Sequence, residues 1–191
     1  STPAMVTYHR LLLNDAFGSY RNLMSDVTLN PAMGRYLNML NNRSQAVTGV
    51  PPNENYAREL MQLFTLGIAT LNPDGTPAVV NGQQVPAYTE QDVKELARIL
   101  TGWTYGDGDP ATQPRRLARE DYRVPMEPVE RYHDSGAKLF LGHDIAAGQT
   151  ASQDLQQALE LAAELGVDTP LASMALQRLA LELGLPEGSG T

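Results

Sequence analysis

Helix-start signals recur along this chain, each followed by apolar residues at three- and four-residue spacing, and this recurrence limits the fold more than any other feature. At Asn30-Pro31, Asn can accept from free first-turn amides, and Pro at the first helical position gives up no needed hydrogen bond. Met33, Tyr36, Leu37 and Leu40 then form one apolar face, which ends at Asn41-Asn42-Arg43-Ser44. Thr89-Glu90-Gln91-Asp92 is a capping box with Asp in place of Glu or Gln. It opens a helix carrying Val93, Leu96, Ala97 and Leu100 that stops near Gly102, with Trp103 packed back onto the helices. Thr150-Ala151-Ser152-Gln153 opens another helix, to about Leu165, and Thr169-Pro170 a last one, to Leu183. Helices are also predicted near Met5 to Leu13, over Phe17 to Val27, and from about Glu54 to Leu66 with Gly67 past its end. Tyr56, Leu60, Leu63, Phe64 and Leu66 form the predicted buried stripe of the 54–66 helix.

The fold class that follows is mainly α: an irregular multi-helix bundle with one small β-hairpin insert at about 78–86 and a long irregular loop at about 105–131. The hairpin rests on Asn81-Gly82, a pair that supplies the two positive φ angles of a type I′ turn. A ribbon so short must lie on the helices. Residues 47–52 read as a loop, and Lys138 to Gly142 as a short strand or extended connection.

With 191 residues the chain is long enough for a single helical domain, 1–191, or for part of a larger one. Its net charge of −8 opposes unspecific attraction to nucleic acid or anionic lipid, so no nucleic-acid partner is expected. The absence of cysteine excludes disulfides, thiolate nucleophiles and zinc fingers. No apolar run approaches the roughly 20 residues of a membrane span. The N-terminus lacks a signal-peptide pattern and a starting Met, as expected of a processed or excised chain.

Standard catalytic signatures are missing: no phosphate-binding Gly-rich loop, no Gly-x-Ser-x-Gly elbow, no His-Glu-x-x-His helix. Two strings carry the polar candidates. In Asn53-Glu54-Asn55-Tyr56-Ala57-Arg58-Glu59, Glu59 and Asn55 share one helix face and Arg58 and Glu54 the adjacent one. Asn53, Asn55, Arg58 and Glu59 could orient a polar substrate; the reading that spacing favours is that Glu54 complements the helix dipole and Arg58 pairs with it or with another carboxylate. In Tyr132-His133-Asp134-Ser135-Gly136-Ala137-Lys138, an imidazole beside a carboxylate is material for a general base or a metal site. The metal reading is the minority one, since His133-Asp134 and His143-Asp144 could each make an ordinary Asp-capped turn. The enzyme reading assigns His133, Asp134 and Glu59 to catalysis, and Asn53, Asn55, Arg58 and Lys138 to substrate binding, with metal and cofactor unknown. It requires the polar start of the 54–66 helix and the His133-Asp134 turn to meet in one water-accessible hollow.

Taken together, residues 53–67, Tyr-Thr-Glu-Gln-Asp-Val at 88–93, Leu-Thr-Gly-Trp at 100–103 and His-Asp-x-Gly-x-Lys at 133–138 resemble, in this order, the bacterial family catalogued as domain of unknown function 1800. The resemblance covers about 10–155, with 156–191 a divergent pair of C-terminal helices. It implies a mainly helical, often exported protein whose genes lie beside those of a sulfatase-like partner family, and it implies no established reaction. Family members carry an upstream Phe-Trp-His-Asn-type segment and a later His-Pro stretch that are not found here. The expectation is that this chain holds only part of any site those histidines complete with His133. The function expected is an exported helical accessory or binding module; the alternative is a metal-dependent or hydrolase-type enzyme near His133 and Glu59.

Overall fold

The computed structural model describes residues 2–106 and 121–167. Among them, helices α1 (Thr2–Asp15), α2 (Tyr20–Leu29), α3 (Pro31–Tyr36), α4 (Gln45–Thr48), α5 (Asn55–Glu59), α6 (Glu90–Ile99) and α7 (Ala151–Val167) dominate, so the chain is mainly α. The capping chemistry accounts for their boundaries. Asn30 Oδ1 accepts from the Ala32 amide at 2.9 Å with Pro31 at the first helical position. At α6 the Thr89 and Asp92 side chains and amides satisfy one another. Thr150 and Gln153 do the same at α7, where Glu130 Oε2 also accepts from the Ala151 amide at 3.1 Å. The short α4 occupies part of the segment predicted as a loop, closed by Gly49 in the left-handed conformation.

The β content exceeds the single predicted hairpin. Strands β1 (Val79–Val80) and β2 (Gln83–Gln84) pair around Asn81-Gly82, both at positive φ. Two further antiparallel pairs are present: β3 (Trp103–Thr104) with β4 (Glu127–Pro128), and β5 (Lys138–Phe140) with β6 (His143–Ile145). The β5–β6 turn puts Leu141 at φ 51°, unusual for a branched side chain. Asp92 Oδ1 accepts from the Leu141 amide at 2.8 Å, so the carboxylate that caps α6 also anchors this turn. Of the predicted 105–131 loop, 107–120 lies outside the described residues; the described flanks carry β4 and a 3-10 turn at Glu130–Tyr132. The predicted 169–183 helix also lies outside them.

After Glu59 the helix widens into a π-helical segment, Leu60–Thr65. The Leu66 amide donates to Met61 O and Thr65 Oγ1 to Leu60 O, five residues back. This winding changes which residues face inward. An α-helical phase would bury Leu63 with Tyr56 and Leu60, yet Leu63 is 66% exposed while Met61, five residues after Tyr56, is fully buried. Tyr56, Leu60 and Met61 pack with Val93, Leu96, Ile99 and Leu100 of α6 and its end, Phe140 and Ile145 of the β5–β6 pair, and Leu155 and Ala158 of α7. Burial pushes the Tyr56 phenol well above its usual range, and its hydroxyl donates to Thr28 Oγ1 at 3.1 Å.

Gly102, two residues past the Leu100 C-cap of α6, has φ +94°, and a Cβ built there would stand 3.0 Å from the His133 backbone nitrogen and 3.1 Å from its Cα. Backbone strain and a backbone clash therefore coincide. Gly102→Ala is expected to destabilise the fold by about 2 kcal/mol or more, read as a lowered urea midpoint with an unchanged denaturant slope.

Candidate functional site

The predicted site residues divide into two groups, linked to different parts of α6. A helix of 10 residues is about 15 Å long. Near its N-terminus Arg58 donates to both carboxylate oxygens of Glu90, at 2.8 and 3.0 Å, and to Glu54 at 3.2 Å. The Glu90 hydrogen bond is the main cause of the raised Arg58 pKa, and the same contact holds the Glu90 carboxyl below its ordinary value. Glu59 lies near enough for its charge to act on the Tyr88 hydroxyl, whose pKa rises chiefly by burial. Asn53 stands just before α5, whose N-cap position is Glu54, and its Oδ1 accepts from the amide of Asn55, the first residue of α5, at 2.9 Å. The exposed Asn53 also exchanges two hydrogen bonds with the Asn42 side chain, and Asn42 O accepts from Gly102 at the far end of α6. These bonds account for Asn53 and Arg58 as elements that fasten α5 along α6.

The second group is built at that far end. His133 Nδ1 lies 3.0 Å from Thr101 O and 3.3 Å from Thr101 Oγ1, and its Nε2 lies 3.1 Å from Asp154 Oδ2. The ring has an oxygen on each side and can donate to both when it carries two protons. Lys138 Nζ donates to the same Asp154 oxygen at 2.6 Å, to Gly136 O at 2.9 Å, and to Asp134 O. All three side chains are withdrawn from water: 1% exposed for His133, 0% for Asp154 and 0% for Lys138. Asp154 Oδ1 is also buried and has no hydrogen-bond partner.

Asp134 turns away from His133. Arg98 Nε and Nη2 grip its carboxylate at 2.9 and 3.1 Å, while its amide donates to Thr101 Oγ1. Burial pushes the Asp134 carboxyl up, but Arg98, the Gly136 amide and the charge of Lys138 outweigh burial and hold it below its ordinary value. Arg98 also meets Glu95 at 2.5 Å and the Ala137 carbonyl at 3.1 Å. Sequence neighbours thus serve different partners, because successive residues of an extended turn project in different directions.

The structure brings His133 and Lys138 together through Asp154, a residue that motif reading missed. A signal for it exists. Asp154 stands three residues after Ala151 and four before Ala158, on the apolar face of α7, where a lone carboxylate requires a buried partner. Among the described residues no three His, Cys, Asp or Glu side chains converge as a group able to hold a metal ion, and no helix is long and apolar enough to cross a membrane.

Two consequences are measurable. Lys138→Met removes the lysine partner of Asp154 in a sealed site and is expected to cost about 3–5 kcal/mol in urea unfolding. Because the folded pKa of Asp134 is depressed, its contribution to stability is complete above the unfolded aspartate value of about 3.9 and is lost as pH falls through the lower folded value. Asp134→Asn is therefore expected to flatten that part of the acid stability profile while lowering stability at pH 7.

Compared with known proteins, residues 1–167 match the family described as "Protein of unknown function (DUF1800)". No curated protein and no solved structure matches the chain.

Proposed function

Because the chain belongs to the DUF1800 family, whose match spans residues 1–167, we propose that it is an exported bacterial helical module that acts by binding rather than by catalysis. In this reading it is one domain, an irregular multi-helix bundle, and a sulfatase-like protein is its partner. The observation that carries the noncatalytic part is the state of its best catalytic candidate. A general base must reach a substrate proton directly or through one water. His133 is sealed, both its nitrogens face internal oxygens, and the carboxylate it touches is shared with a buried lysine. Such a cluster suits a clamp that joins α7 to β5 and the end of α6. The −8 charge and the absence of standard catalytic motifs support the same reading.

The enzyme alternative places catalysis on His133, Asp134 and Glu59, with Asn53, Asn55, Arg58 and Lys138 holding substrate. The two readings separate on His133→Gln, assayed for thermal stability and for hydrolysis of a panel of phosphate, sulfate and carboxylic esters. A clamp is expected to lose about 2 kcal/mol or more of stability with no hydrolysis attributable to either protein. Ester hydrolysis by the parent chain that disappears in a variant of unchanged stability would overturn the binding reading. Export is checked by fractionating cells that express the parent gene, with the protein expected outside the cytoplasm; co-purification from that fraction tests the sulfatase-like partner.

A further inference from the structure

A cavity of about 320 Å³ lies between α2 and α7, with Trp103 in its lining. Its volume falls at the lower end of the range of small-molecule pockets. Its walls differ in character: Leu155 and Leu159 are apolar, whereas Arg21, Asn22 and Gln156 are polar. Two side chains of the lining carry donors that the fold itself does not pair. Trp103 is only 3% exposed, yet its indole Nε1 is buried without a hydrogen-bond partner. Arg21 Nε is likewise buried and unpartnered, although the same guanidinium reaches Glu160 through Nη2 at 2.5 Å.

Both orphaned groups are donors only, so what satisfies them must be an acceptor. A buried indole N–H normally has a partner, and leaving it without one costs free energy that an incoming acceptor restores. One of the two donors belongs to a guanidinium, which favours an anionic acceptor and matches a carboxylate in planar geometry. Ser152, in the first turn of α7, also lines the cavity at the helix end that carries positive partial charge. The leucine wall requires an apolar body attached to that anion.

From these observations we infer that the α2–α7 cavity is a binding site for a small organic carboxylate with an apolar chain, the carboxylate turned toward Arg21 and Trp103. The inference rests on the binding-module reading and gives it a place and a ligand class. Solvent does not reach either nitrogen in the closed arrangement. A carboxylate that satisfies them must therefore displace the side chains that cover them.

Trp103 is the sole tryptophan, so one indole N–H resonance reports this site alone. The probe is hexanoate, titrated into the ¹⁵N-labelled chain, with hexanamide and 1-hexanol as neutral molecules of matched chain length. Hexanoate is expected to shift the indole resonance saturably, and the neutral probes to bind about tenfold more weakly or less tightly still. Arg21→Gln is expected to weaken hexanoate by about tenfold while leaving the neutral probes unchanged. Glu160→Gln, which removes the anion competing for Arg21, is expected to tighten it, and Arg58→Gln to leave it unaltered. An indole resonance that hexanoate does not move would overturn the site. Equal binding of hexanoate and hexanol, insensitive to Arg21→Gln, would overturn the carboxylate assignment. Recovery of hexanoate unchanged accords with binding; its consumption would support the site and overturn the noncatalytic reading instead.

Discussion

Asp154 accepts from Lys138 at 2.6 Å and faces His133 Nε2 at 3.1 Å, all three side chains closed off from water. A charge moved into such an environment costs several kcal/mol unless it is paired and hydrogen-bonded, so these residues are stable there only in one another's company. That mutual requirement governs the surrounding architecture. Asp154 fixes the rotation of α7 about its axis; Lys138 fixes the start of β5; His133, through Thr101, fixes the end of α6. The partners stand 16 and 21 residues apart in the chain, and His133 and Thr101 stand 32 apart. A local helix–coil preference could not hold them in register. Apolar contacts of Leu155, Ala158, Phe140 and Ile145 around the cluster supply the driving force for burial, while the polar contacts select one arrangement.

A second constraint comes from α6, along which several of these polar contacts are made. In its first turn Asp92 accepts from the Thr89 amide, and the same carboxylate holds the β5–β6 turn at Leu141. Just past the end of α6 stands Gly102, where there is no room for a Cβ against His133. Between these ends, Arg98 joins Glu95, Asp134 and the Ala137 carbonyl. The segments 133–138 and 138–141 are thus laid along α6 by side-chain contacts at successive helical positions. The π-helical segment after α5 serves the same packing, because spacing by five residues turns Met61 inward beneath Tyr56 and releases Leu63 to solvent.

The candidate site was legible in part. His133, Asp134 and Lys138 stood out as titratable residues in a turn, and two of them do meet, but through a carboxylate sixteen residues beyond Lys138. Arg58 and Glu54 were legible as an i, i+4 pair and form one; the third member, Glu90, comes from the first turn of another helix. Arg98 and Asp154 escaped notice because each occupies a position whose significance depends on what packs against it. Arg98 reads as an ordinary basic residue in the last turn of a helix, although it binds a carboxylate thirty-six residues away. The unpartnered Trp103 and Arg21 nitrogens were not legible at all, since the satisfaction of a donor is a property of its surroundings.

By itself the amino-acid order determined the helical character of this chain, the caps at Asn30, Thr89 and Thr150, the hairpin at Asn81-Gly82 and the family to which the chain belongs. These features rest on residues within a few positions of one another, whose hydrogen bonds and φ angles are settled locally. Only the tertiary structure decided which polar residues share a charge, which face of the 60–65 segment turns inward, and where a cavity opens between α2 and α7. Those outcomes depend on contacts between segments distant in the chain, where desolvation makes each buried polar group's free energy a function of its neighbours.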